Sequence, residues 1–230
     1  MGAWQPLPDG RGSVPSRARK QAVFLLAVCI PALAEVIDRV AASVDKQVIT
    51  QSAIEEQIRI TAFLNQEPLR LDAISRRRMA ERIVEQRLIR HEMEISRYPT
   101  PDPKQADPLF EQIRKRAGTP EEFRKQLDRY RITETDLRRN LLLQLASLRF
   151  IELRFRPGSS VSDGEIELYY REQFVPEWEK KHATPPPDLD AAWERIEAEL
   201  LQQRVDQALD QWLKQARAVA RVRYFEEAFQ

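Results

Sequence analysis

"VIDRVAASVDKQVITQSAIEEQI", residues 36–58, decides the fold because its character changes halfway along. The first half is short, rich in β-branched residues and interrupted by Asp45 and Lys46, which is typical of a β-hairpin. The second half has two isoleucines four positions apart behind Ser52, which together with Glu55 predicts a capping box at the start of a helix. The stretch therefore predicts a strand pair that leads directly into a helix.

The residues before this stretch have the pattern of a secretory signal peptide. A basic segment at residues 17–20 precedes an apolar run at residues 22–33, and small residues lead up to Ala34. A membrane-spanning helix needs about 18 or more apolar residues, so this shorter run indicates a cleaved leader rather than an anchor. We expect residues 1–34 to be removed after Ala34 and the remaining chain to be periplasmic.

Composition limits the chemistry of the exported chain. Cys29 is the only cysteine and lies in the expected leader, where the bulky Val28 before it disfavours a lipoprotein site. Residues 1–34 also carry four of the 37 Lys and Arg residues and one of the 36 Asp and Glu residues, which leaves 33 basic and 35 acidic residues. A net charge near −2 argues against an electrostatic nucleic-acid footprint. We expect neither a nucleic-acid partner nor stable membrane insertion after cleavage.

Residues 35–175 are expected to form a helical lobe that opens with the hairpin. Thr119, Thr133 and Ser162 each stand three positions before an acidic residue, and these capping boxes predict three helix starts.

An earlier helix is expected over residues 72–96, where the helical periodicity turns Ile74 and Ile95 toward the same inward face as Leu88. Four prolines between residues 98 and 108 exclude a helix there.

The remaining sequence predicts a linker, a long helix and a strand. Residues 176–187 form a proline-rich linker, and residues 188–230 form a long helix followed by a strand at residues 218–225. A hairpin alone is only marginally stable, so we expect the last strand to pair with the first hairpin. The fold class is therefore mainly α with a small terminal β-sheet. The helices between the paired ends are expected to form an open cradle.

Three segments resemble the SurA-like periplasmic chaperones. "DRVAASVDKQVITQSAIEEQI" (38–58) is similar to the first hairpin and helix of that family. "VSDGEIELYYREQF" (161–174) looks like the helix that precedes its parvulin prolyl-isomerase domain, and "ELLQQRVDQALDQWLKQARAVARVRYFEE" (199–227) looks like its closing helix and strand. The resemblance implies a helical chaperone lobe in which the last strand returns to the first.

The sequence departs from that family where the isomerase domain usually lies. About a dozen residues, 175–188, stand in place of about a hundred. The two histidines, His91 and His182, do not frame an apolar core as the parvulin signature requires. The resemblance therefore implies a chaperone lobe without its isomerase module.

The sequence contains few residue patterns that indicate catalysis or metal binding. There is no glycine-rich phosphate loop, and His91 with Glu94 has metal-ligand spacing but belongs to a charged helix whose side chains are expected to be solvated. We expect no catalytic residue, no metal and no cofactor. The candidates for peptide contact are aromatic: Phe63, Phe110, Phe123, Tyr130 and Trp178. Trp193 and Trp212 are instead assigned to the core by their helical phase.

The expected function is ATP-independent binding of unfolded or extended polypeptides, with outer-membrane protein precursors as the implied clients. Exposed apolar side chains can hold such segments by nonspecific burial, which requires no catalytic group. Two alternatives stay open: a helical envelope scaffold with one folded partner, and a degenerate prolyl isomerase.

Overall fold

The computed structural model describes residues 38–230, so the expected leader, its cleavage site and Cys29 lie outside the described residues. A three-stranded antiparallel sheet contains strands from both ends of this range, in the order β2-β1-β3. Its strands are β1 (Val40–Val44), β2 (Gln47–Thr50) and β3 (Val222–Tyr224). Val44 lies opposite Val222, and Ala42 lies opposite Tyr224. The predicted pairing of the last strand with the first hairpin is confirmed. The last strand is shorter than predicted because the preceding helix extends through Val219.

Helices connect the hairpin to the last strand, so the predicted fold class, mainly α with a small terminal sheet, is confirmed. They are α1 (Gln51–Asn65), α2 (Ala73–Ile95), α3 (Asp107–Arg116), α4 (Pro120–Tyr130), α5 (Glu134–Phe155), α6 (Asp163–Tyr169), α7 (Val175–Lys181) and α8 (Leu189–Val219). Within residues 38–230, none of these helices is both long enough and apolar enough to cross a membrane.

The helix starts show which capping predictions were correct. Thr119 and Thr133 form reciprocal capping boxes with the acidic residue three positions later. At the third predicted start, the Ser162 N–H and hydroxyl both donate to the Glu165 carboxylate, at 3.0 Å and 2.7 Å. The box predicted at Ser52 is wrong, because Thr50 caps α1 instead and its Oγ1 accepts a hydrogen bond from the Ala53 N–H at 3.3 Å. Thr50 ends strand β2 with an extended backbone, which is the conformation that an N-cap requires.

The predicted linker at residues 176–187 is helical over its first part. A π-helical segment, Tyr170–Phe174, joins α6 to α7, and α7 continues to Lys181. Pro176 lies in the first turn of α7, where a missing backbone N–H is tolerated. The non-helical connection to α8 is therefore residues 182–188.

Two separate clusters form most of the core. The first packs the sheet against α1, α2 and α8, with Ala42, Ile54, Val84 and Phe229 among its buried members. The second, called here the aromatic cluster, lies among α1, α3, α4 and α5. Its buried members are Ile60, Phe63, Ala106, Phe110, Phe123, Leu127, Ile132, Leu137 and Leu141, with Tyr130 packed against them. The helices around the aromatic cluster pack closely, so the predicted open cradle is not found in this part of the lobe.

Candidate functional site

Four of the five aromatic candidates come together: three are buried in the core, and Tyr130 packs against them while remaining partly exposed. The ring centroids of Phe63 and Phe123 are 6.2 Å apart, those of Phe110 and Phe123 are 5.8 Å apart, and those of Phe63 and Tyr130 are 5.8 Å apart. The exposed fractions of Phe63, Phe110 and Phe123 are 5%, 0% and 1%. The three phenylalanines therefore stabilise the lobe, and their interpretation as a peptide-contacting surface is wrong for this arrangement of the helices.

Trp178, the fifth candidate, belongs to a different feature. Its ring stacks between Phe174, at 5.8 Å, and His182, at 4.0 Å, along one face of α7. Its indole N–H donates to the Thr184 carbonyl oxygen at 3.0 Å, while the Tyr170 hydroxyl donates to the Pro187 carbonyl oxygen at 2.8 Å. The aromatic rings thus attach the 182–188 connection to the helix, which is a structural role.

An open groove with apolar walls lies beside the terminal sheet. A groove of about 680 Å³ runs between the β1–β2 turn, the second half of α2 and the last two turns of α8. We call it the terminal groove and define it by these lining residues: Asp45, Lys46, Gln47, Arg87, Leu88, His91, Glu92, Ile95, Arg154, Trp212, Gln215, Ala216, Val219 and Ala220. Its volume is within the range of about 300–1,000 Å³ that is typical of ligand sites.

The pairing of β3 with β1 positions one wall of the groove. The Asp45 N–H donates to the Arg221 carbonyl oxygen at 3.1 Å, and the Arg221 N–H donates to Asp45 Oδ1 at 3.0 Å. Asp45 adopts the left-handed conformation that the hairpin turn requires. These two reciprocal bonds fasten the turn to the end of α8, so the groove depends on the closure of the sheet.

Ion pairing fixes α8 beside α2 along the groove. The Arg217 guanidinium donates to Glu85 Oε1 at 2.9 Å. Burial raises the pKa of Glu85 above its usual value, and the nearby Arg217 offsets part of that effect. The contact orients the last turns of α8 so that Val219 reaches the groove.

Aliphatic side chains in the groove stay open to solvent. Ile95 is 62% exposed and Val219 is 88% exposed, and each is the last residue of its helix. Trp212 packs against Phe150, with ring centroids 5.4 Å apart, and is partly exposed on the groove side. Helical periodicity predicts that Ile95 and Trp212 belong to the core. Trp212 does pack against two core clusters and also borders the groove, whereas Ile95 is exposed. The signal that could have located Ile95 is its position at the end of a helix, followed closely by prolines.

A smaller cavity lies on the opposite side of α2. It has a volume of about 330 Å³ and is lined by Ile89 and Met93 of α2 and by Leu142, Leu143 and Ala146 of α5. Because α2 separates the two spaces, one extended segment cannot fill both without crossing the helix.

Metal-ligand geometry is absent from the described part of the chain. Among residues 38–230, no three His, Cys, Asp or Glu side chains come close enough together to hold a metal ion. His91 lines the terminal groove, whereas Glu94 lines the cavity on the other side of α2. Their spacing in sequence therefore does not produce a shared site.

Comparison with known proteins adds no relative. No protein-family model matches the chain, and no curated protein matches it.

Proposed function

We propose that this protein is an exported, ATP-independent chaperone that holds unfolded or extended polypeptides in the terminal groove and catalyses no reaction. Outer-membrane protein precursors are the proposed clients. The observation that carries the proposal is an open apolar groove whose most exposed aliphatic side chains, Ile95 and Val219, have no covering element among the described residues. Exposed apolar surface of this kind marks binding sites for other polypeptides.

Weak contacts are sufficient for this activity. A fully buried aliphatic side chain contributes about 1.5–3 kcal/mol, and less in a groove that remains partly wet. A few such contacts give affinities near the micromolar range after the entropic cost of ordering a flexible client. Release then needs only dissociation and no nucleotide.

The proposed family and location rest on the sequence and on one feature of the fold. The leader pattern at residues 1–34 supports a periplasmic location. The pairing of β3 with β1 agrees with the architecture implied by the SurA-like resemblance. The short 182–188 connection, where that family usually carries its isomerase, supports a chaperone lobe without prolyl-isomerase activity.

Aggregation of a denatured client tests the proposal. A urea-denatured outer-membrane β-barrel protein is diluted into buffer with the purified chain lacking residues 1–34, and light scattering is recorded without nucleotide. Suppression is expected near a one-to-one ratio. Replacing Ile95→Gln and Val219→Gln together should raise the required concentration about 5- to 30-fold, because about 1–2 kcal/mol of apolar contact is lost.

A matched variant controls for general loss of surface hydrophobicity. Ile74 on α2 is 73% exposed, and Leu148 on α5 is also exposed, but neither lines the terminal groove. Replacing Ile74→Gln and Leu148→Gln should leave suppression unchanged. Equal loss in both double variants would refute a groove-specific activity. A single folded partner captured at fixed stoichiometry, with no suppression of aggregation, would favour the scaffold alternative.

A further inference from the structure

The charges that line the terminal groove are not balanced. Both of its carboxylates are already engaged within the protein: Asp45 accepts the Arg221 N–H at 3.0 Å, and Glu92 pairs with Arg154 at 3.0 Å. The Arg154 guanidinium also lies 5.7 Å from the centre of the Trp212 ring. The Asp45 and Glu92 carboxylates and the Arg154 guanidinium therefore already make contacts within the protein.

Arg87 lines the groove and has no ion-pair partner among the described residues. Within residues 38–230, no carboxylate lies within ion-pair distance of its guanidinium. Its one side-chain hydrogen bond runs from Nη1 to the neutral Gln47 Oε1 at 3.4 Å, which is long for such a contact. The side chain is only partly exposed. Burial and, second, the nearby charge of Arg90 lower the pKa of Arg87 below its usual value, and the carboxylate of Glu94 offsets part of that effect.

A partly buried arginine without a carboxylate partner loses hydration and gains no strong hydrogen bond in return. Its planar guanidinium can donate two parallel N–H hydrogen bonds to one carboxylate. Lys46, exposed at the hairpin turn on the same groove, has no ion-pair partner in the described range and adds a second positive charge. Apolar atoms of Ile95, Val219 and Trp212 line the same space.

We propose that Arg87 makes the terminal groove selective for extended polypeptide segments that carry a carboxylate next to an aliphatic or aromatic side chain. This inference rests on the proposed function and specifies its substrate class. The apolar wall binds the aliphatic or aromatic side chain, and Arg87 binds the carboxylate. The carboxylate is that of an Asp or Glu side chain within the segment.

Fluorescence anisotropy with three labelled nonapeptides tests the selectivity. The first peptide has a central Glu among leucines and an amidated C-terminus, the second has Gln in place of Glu, and the third has Gln and a free C-terminal carboxylate. The native protein should bind the first peptide about tenfold more tightly than the second, as expected for one charge-assisted hydrogen-bonded pair. A gain shown by the third peptide alone would overturn the assignment to a side-chain carboxylate.

Two variants on α2 attribute the gain to Arg87. In Arg87→Gln the tenfold preference should fall to about one, while binding of the Gln peptide should persist. In Arg82→Gln the preference should remain, because Arg82 is exposed outside the terminal groove. Thermal unfolding supplies a readout for a purely structural role: the midpoint of Arg87→Gln should be unchanged or higher, since an uncompensated, partly buried charge is removed.

The peptide-binding results distinguish failure of the carboxylate preference from failure of the proposed chaperone function. If the native protein binds all three peptides equally well, the carboxylate preference is refuted and polypeptide binding stands. If it binds none of them, both the preference and the proposed function fail. A preference for the Glu peptide that persists in Arg87→Gln would show that Arg87 does not bind the carboxylate.

Discussion

The aromatic cluster and the terminal groove contain similar side chains in opposite situations. Rings in the aromatic cluster are enclosed by four helices, and Phe110 is fully buried. In the terminal groove, Ile95 and Val219 end their helices, and no following segment in the described chain covers them. The type of an apolar residue therefore does not show whether it belongs to a core or to a binding surface. What distinguishes them is whether the chain provides a covering element.

The largest expected effect lies in the aromatic cluster. Phe123→Ala removes a ring that contacts both Phe63 and Phe110, and should lower the free energy of unfolding by about 3–5 kcal/mol. Urea denaturation measures the change. Phe225→Ala serves as the control, because Phe225 is exposed and its removal should cost less than about 1 kcal/mol. Similar losses at both positions would show that the cluster is not the tightly packed region.

A smaller effect of opposite sign is expected at the end of α4. Arg131 has φ 54°, and the Ile132 N–H donates to the Leu127 carbonyl oxygen at 3.1 Å, as in a Schellman motif. Arg131→Gly should raise the free energy of unfolding by about 1 kcal/mol, because glycine adopts this left-handed conformation without steric cost.

The same substitution tests whether client binding in the terminal groove is independent of stability in the lobe that contains the aromatic cluster. Arg131→Ala keeps the steric cost and should give no gain in stability. Suppression of client aggregation should be unchanged in Arg131→Gly, because α4 does not line the terminal groove. Weaker suppression by the more stable variant would indicate that client binding needs the lobe to open, and would move the binding site to the aromatic cluster.

Local chemistry was predictable from the sequence, and covering elements were not. Thr119 and Thr133 were identified as caps because a hydroxyl and a carboxylate three residues apart satisfy each other's backbone donors within one turn. The pairing of the two ends followed from the instability of an isolated hairpin. Ser52 was misassigned because Thr50, two residues earlier, already had the extended backbone of a cap.

The site predictions failed for a different reason. Helical phase identifies the apolar face of a helix, but residues that line a groove and residues that fill a core have the same period. Ile95 was therefore assigned inward and is exposed, whereas Phe63 and Phe123 were assigned to the binding surface and are buried. Arg87 gave no signal in the sequence, because its missing partner is visible only once α2, the hairpin turn and α8 are brought together.

Site-specific photocrosslinking tests most directly whether the terminal groove holds the client. A benzophenone amino acid is placed in turn at Ile95, Val219, Ile74 and Leu148, all of them exposed aliphatic positions, and each protein is irradiated with the denatured β-barrel client. If the terminal groove holds the client, the client should crosslink to the benzophenone at positions 95 and 219 and only weakly at the other two positions. Equal crosslinking from all four positions, or crosslinking confined to Ile74 and Leu148, would contradict it.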